Sequence, residues 1–318
     1  MIKLTDIPLH DPFILTNKAE GKYFLYNSAK IESEDDVRSG VKVYTSEDLC
    51  LWSEPEIVFS VPDDCWANPA GGTWAPEVHE YRGQYYLFVT LHNREQEIKQ
   101  PQPPGKEYGV NPYSSKVHLR GTVIAVSDSP RGPFKLLKKE GPHTPRKFMA
   151  LDGTLFVDKS GWPWMVYCHE WIQIIDGTIE AVRLKKDLSD SQGSPVHLFK
   201  GSDAPWINRE QKPTQQQKHY VTDGPQLYRT KEGILLMLWS SYNQQGYVQT
   251  VARSRSGTLK GPWEQLQPLV KNDSGHGMLF NDLHNNLKLI LHHPFDMPQS
   301  RAYIYSVVDK GDKIELID

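Results

Sequence analysis

Apolar residues in this chain come in short continuous or alternating runs. No twelve-residue stretch free of Gly and Pro carries the i, i+3, i+4, i+7 spacing of an amphipathic helix. That pattern predicts strands and almost no helix. The runs group into a unit that recurs five times: a polar residue opens a strand, a short turn follows, and a second strand returns. The openers are Asp11 (strand to 15, turn at Gly21, return 23–26), Glu77 (to 81, return 85–90) and Asp152 (to 157, return 164–168). Asp223 opens the fourth unit, which turns at Gly233, and His276 the fifth (to 280, return 287–291). Further strand-like runs follow at 41–49 with Trp52, 122–128 with 132–134, 178–184 with Asp187 and Leu188, 248–254 with 261–263, and 302–308 with 313–317.

Four strands per unit and five units predict an all-β chain folded as a five-bladed β-propeller. A single domain would span 1–318, with blades at about 8–60, 74–138, 150–200, 221–268 and 275–318. The openers are 66, 75, 71 and 53 residues apart. This irregularity leaves a two-sheet sandwich of short strands as the alternative. In a propeller the first strand of each blade lines the central channel, so the five openers would ring one channel mouth at equivalent points. The long connections 60–73, 93–121 and 201–222 fall on the same face, where long irregular segments are often functional.

Composition adds mainly exclusions. A formal charge of -3 and a pI near 6.5 argue against a nucleic-acid partner. No run is long and apolar enough to span a bilayer with a helix, so no membrane partner is expected. The opening Met1-Ile2-Lys3-Leu4-Thr5-Asp6 lacks a signal-peptide core. As written the chain reads as cytoplasmic, or as secreted or periplasmic if a leader has been removed. Cys50, Cys65 and Cys168 have neither disulfide nor zinc spacing, and read as isolated thiols. The twelve histidines show no metal-site spacing such as H-E-x-x-H. Aromatic residues reach 11%, which suits either sugar stacking or a large β core. Oligomeric state is not legible.

A ring of acids at a channel mouth needs a cation, cross-ring hydrogen bonds or a catalytic purpose, because a buried unpaired carboxylate is costly. Neither a Ser-His-Asp signature nor a nucleotide loop is present. Two or three carboxylates around a pocket suit glycosidic bond cleavage, in which one acid protonates the leaving oxygen and another activates water.

Several motifs then carry a resemblance. They are His10-Asp11-Pro12-Phe13, Trp74-Ala75-Pro76-Glu77, Ala125-Val126-Ser127-Asp128-Ser129-Pro130 with Gly132-Pro133-Phe134, Leu151-Asp152-Gly153-Thr154-Leu155-Phe156, Asp223-Gly224-Pro225 and Gly275-His276-Gly277. In this order they cover nearly the whole chain, which resembles glycoside hydrolase family 43, a family of inverting five-bladed propellers. The resemblance implies that Asp11 is the general base and Asp152 the carboxylate that tunes and orients the acid. It places Asp223 where the family carries a general-acid Glu in a Glu-Gly-Pro motif, and His276 at the family's central histidine, often beside a water-coordinated ion such as calcium. No cofactor is otherwise required.

Asp223 departs from the family by one methylene. Either it still serves as the acid, or another acid such as Glu170 replaces it, or the chain is inactive. Strand ends Trp74, Glu77, His92, His169, Glu170, Trp171, Tyr242 and His293, with Asn27 and Ser241, are expected around a carbohydrate substrate. With no further β-sandwich after the fifth unit an α-L-arabinofuranosidase is expected, and the long loops on the active face, which would close a pocket rather than leave a groove, suggest exo action. The alternatives are a β-xylosidase, an arabinanase, or a carbohydrate-binding propeller without catalysis.

Overall fold

Each of the five units folds into its own four-stranded antiparallel sheet, and the five sheets form the blades of a propeller. A two-sheet sandwich is thereby excluded. The computed structural model describes residues 1–33, 36–99, 117–207 and 219–317. Blade 1 holds Phe13–Asn17, Lys22–Glu32, Val37–Ser46 and Glu56–Ser60; blade 2 holds Thr73–Tyr81, Gln84–Glu97, His118–Ser127 and Lys135–Leu136. Blade 3 holds Ala150–Val157, Pro163–His169, Thr178–Leu184 and Ser191–Lys200. Blade 4 holds Asp223–Arg229, Leu235–Asn243, Gly246–Ser254 and Trp263–Gln265, and blade 5 holds Gly275–Asn281, Leu287–His293, Arg301–Asp309 and Ile314–Ile317.

Outer strands were the least legible. The fourth strand of blade 1 starts only at Glu56, because Trp52 turns inward, is fully buried, and pairs instead with Ile2. In blade 3 the outer strand runs from 191 to 200 rather than through Asp187 and Leu188, which form a turn. Second strands are buried over most of their length, as in Leu235–Ser241, because each blade is packed between two neighbours. A strand covered on both faces reads as a continuous apolar run rather than an alternating one. The one α-helix among the described residues is the four-residue Trp171–Ile174.

Among the described residues no strand is exchanged between blades 1 and 5, so ring closure there rests on side chains and single hydrogen bonds. Thr16 Oγ1 donates to the Asn281 carbonyl at 2.7 Å, and Tyr23 Oη accepts from the Leu283 amide at 2.8 Å. Phe13 and Ile14 share an apolar cluster with Met278, Phe280 and Ala302 across the same seam.

One backbone feature recurs in all five blades. At the head of the first strand one residue is left-handed: Asp11 (φ 50°), Ala75 (43°), Asp152 (54°), Gly224 (51°) and His276 (48°). A Pro or Gly follows each, and in blades 2 to 5 a register shift marks the corner. This corrects the expected equivalence of the five openers. Asp223 lies one residue before its blade's corner, and Glu77 lies two residues after its own. Blade 4 places Gly224 at the corner, where a Cβ would come within 2.8 Å of the His276 ring. Of the long connections, 60–73 is described, whereas parts of 93–121 and 201–222, namely 100–116 and 208–218, lie outside the described residues.

Candidate active site

The corners of blades 1, 3 and 5, together with Asp223 of blade 4, turn carboxylates and an imidazole into the floor of one cavity of about 820 Å³. His276 stands at the centre. Its Nδ1 lies 3.0 Å from Asp11 Oδ1, 3.6 Å from Asp223 Oδ1 and 4.0 Å from Asp152 Oδ2. Through that shared nitrogen, those Asp11 and Asp223 oxygens can be at most about 6.6 Å apart, at or below the lower limit of the roughly 6.5–9.5 Å that admits a water between acid and base.

Each acid is held from behind. The Asp11 amide donates to His292 Nδ1 at 3.1 Å, and His292 stacks on His10 with centroids 4.6 Å apart. Burial, then the neighbouring histidines, hold the His292 imidazole well below its ordinary pKa, so the ring is neutral and its Nδ1 is free to accept. Asp152 Oδ2 accepts the Gly224 amide at 3.2 Å. Tyr247 Oη donates to Asp223 Oδ2 at 2.5 Å.

Asp152 and Asp223 lie side by side, each with a carboxylate oxygen within 4.8 Å of the other and of a His276 nitrogen. Burial first, then the neighbouring Asp223 carboxyl, holds the Asp152 carboxyl well above its ordinary 3.8. Asp11 is raised too, mainly by burial, with His276 and His10 pulling it back down. Both folded pKa values exceed the unfolded ones. Their contributions to stability are therefore fully present below about pH 3.8 and are lost as pH rises through the raised values. Asp152→Asn, which keeps an acceptor for the Gly224 amide, should raise the unfolding midpoint more at about pH 8 than at about pH 4. Thermal melts at the two pH values check this, and an equal or opposite shift would refute it.

The cavity walls bring together Trp74, Trp171, Tyr242, Asn27 and Glu170, all anticipated from the sequence. Five other expected residues do not line them. Glu77 lies lower in the channel and bonds His79 Nε2 at 2.8 Å, two residues past the corner. His92 is fully buried behind Trp74; His169 is stacked on Phe148 at 4.0 Å and bonded to Gln173. His293 faces Ser274 and Tyr303, because successive strand residues point to opposite sides and its neighbour His292 takes the inward one. Ser241 is also buried, donating to the Val221 carbonyl. Glu170 is paired with Arg120, and both are nearly inaccessible.

Sequence reasoning missed His10, Lys42 and Phe295 in the walls, and Tyr247 and His292 behind the acids. His10 adjoins Asp11 and could have been found by proximity; Tyr247, on a third strand, left no local signal.

Asp152, Asp223 and His276 offer three ligand atoms within 4.8 Å of one another. Calcium takes six to eight oxygens, whereas this set offers only two carboxyls and a nitrogen. This set does not fit a protein-caged calcium ion, so any ion beside His276 would draw most of its shell from water.

The family description "Glycosyl hydrolases family 43" matches residues 6–305. A solved structure described as an endo-arabinase from Bacteroides thetaiotaomicron is 36% identical, superimposes with a TM-score of 0.82, and aligns over 98% of this chain and 99% of that one. Extracellular endo-α-(1→5)-L-arabinanase 1 of Bacillus subtilis is 25% identical over 194 residues, which are 58% of this chain and 49% of that protein. The chain thus spans about half the length of that curated relative. An α-L-arabinofuranosidase structure from Lactobacillus brevis is similar in fold alone, at 15% identity and a TM-score of 0.67 over 96% of this chain and 92% of that one.

Proposed function

The chain belongs to glycosyl hydrolase family 43, an inverting family of glycoside hydrolases, and on that premise we propose that it is an arabinanase cleaving α-1,5-linked arabinofuranosyl chains. The expected exo-acting α-L-arabinofuranosidase gives way to this reading. The 36%-identical structure and the curated relative are both described as endo-arabinanases, whereas the arabinofuranosidase likeness extends to the fold only.

One observation carries the chemistry: Asp11, Asp152 and Asp223 converge on His276 beneath a cavity walled by Trp74, Trp171, Tyr242 and Phe295. In the proposed reaction Asp11 takes a proton from water as that water attacks the anomeric carbon. Asp223 delivers a proton to the leaving oxygen and regains one from solvent after the product departs. Asp152 orients Asp223 and, through its own negative charge once the proton has left, favours its return. Burial strengthens each of these electrostatic effects by excluding water. Glu170 does not serve as the acid in this reading, since it is buried and held in an ion pair with Arg120.

Linear arabinan and aryl glycosides separate the alternatives. An arabinanase should release short oligosaccharides from linear arabinan, with the newly formed anomer inverted by NMR, and should act weakly on aryl xylosides. Arabinose as sole early product would restore the exo reading, and binding without any hydrolysis would make the chain a carbohydrate-binding propeller.

A further inference from the structure

Arg120 is a charged side chain that this chemistry does not use, and it is only 3% exposed. Its guanidinium carbon lies 4.3 Å from the centroid of the Trp74 indole. Nε donates to His92 Nδ1 at 3.0 Å, and Nη1 donates to Glu170 Oε2. His92 stands edge-on to the same indole at 4.3 Å and 63°, so the ring is gripped on one face and one edge. The other side of Trp74 is open to the cavity, leaving the residue 39% exposed. Glu170 immediately precedes the helix Trp171–Ile174, so the grip ties blade 2 to the part of blade 3 that carries Trp171 into the same cavity.

A buried ion pair is poor evidence of a stabilising role, because apolar residues of equal volume often do as well; its attested use is to fix one geometry. Arginine is suited to this one. Its planar fork stacks on an aromatic face while its edge reaches a carboxylate and an imidazole at once, which a lysine cannot do. We propose that Arg120 and Glu170 form a positioning pair that holds the Trp74 indole as a fixed platform for a furanose ring of the substrate. The identity of that sugar rests on the arabinanase reading, whereas the immobilisation of the indole does not. A rigid platform gives affinity by removing the ordering cost that a loose ring would incur on binding.

Two variants test this. Arg120→Lys keeps a cation beside Glu170 but cannot stack. Arg120→Met with Glu170→Gln removes both charges together, so that neither is left buried and unpaired. The first readout needs no substrate: emission anisotropy of Trp74, taken as the difference between each protein and its Trp74→Phe counterpart, should fall in both variants. In the second, Arg120→Lys should raise KM for arabino-oligosaccharides about tenfold while kcat changes less than about threefold, and Trp74→Ala should raise KM at least as much. Unchanged anisotropy overturns the proposal, as does a lower melting temperature with neither readout moved. If Trp74→Ala raises KM and Arg120→Lys does not, the positioning role fails and the sugar contact stands. If the wild-type protein ignores arabino-oligosaccharides while anisotropy still falls in the variants, the arabinanase reading fails and the positioning pair stands.

Discussion

Asp223→Asn should lower turnover of linear arabinan by roughly 10²–10⁴-fold, the range a positioned general acid supplies, yet slow a dinitrophenyl arabinofuranoside by less than about tenfold. The difference follows from the leaving group. An alkoxide leaving from arabinan needs a proton, whereas dinitrophenolate departs without one. Asn is nearly isosteric and can still accept from Tyr247 Oη, so the 2.5 Å contact and the local fold are retained. Steady-state kinetics on both substrates decide the matter. Equal losses on the two would remove Asp223 from the acid role, and abolition by Glu170→Gln with Asp223→Asn fully active would transfer it. The structure already makes that transfer difficult, because it sets the Arg120 cation directly against Glu170.

Asp11→Asn should instead cost roughly 10²–10⁴-fold on both substrates alike, since every leaving group requires an activated water. Its backbone tie to His292 is unaffected by the change. The pH profile supplies a second check. A base must be ionised to act, and burial raises the Asp11 carboxyl above its ordinary 3.8. The acidic limb of kcat/KM in the wild-type protein should accordingly lie above that value, and the residual activity of Asp11→Asn should lack that limb. A limb that persists unchanged in the variant would assign it to another group.

The propeller was legible because hairpin runs repeat along the chain, and two-sided burial made the second strands stand out as continuous apolar segments such as 235–241. Register within the ring was harder. Treating Glu77 and Asp223 as equivalents of Asp11 overlooked the corner at the head of each first strand, where a bulge displaces the count by one or two residues. The corner does leave a trace, the Pro or Gly that follows it in Asp11-Pro12, Ala75-Pro76, Asp152-Gly153, Gly224-Pro225 and His276-Gly277. The pocket walls were partly legible from strand ends. The failures at His92, His169 and His293 arose because strand alternation and packing against neighbouring blades, rather than proximity to a strand end, decide which side chains face the sugar. Arg120 and Tyr247 were invisible, since both act from third strands through contacts that only the folded chain creates.

The five left-handed corners have an implication for how such a site can change. They share a left-handed φ at the head of each first strand, whether the occupant is an acid, an imidazole, a methyl or a hydrogen. Chemistry can therefore be exchanged at a corner by single substitutions without redrawing a strand, provided the new side chain fits, as Gly224 against His276 shows it sometimes cannot. Ala75, buried next to the Trp74 platform, and Gly224 are the two corners whose occupants carry no functional group.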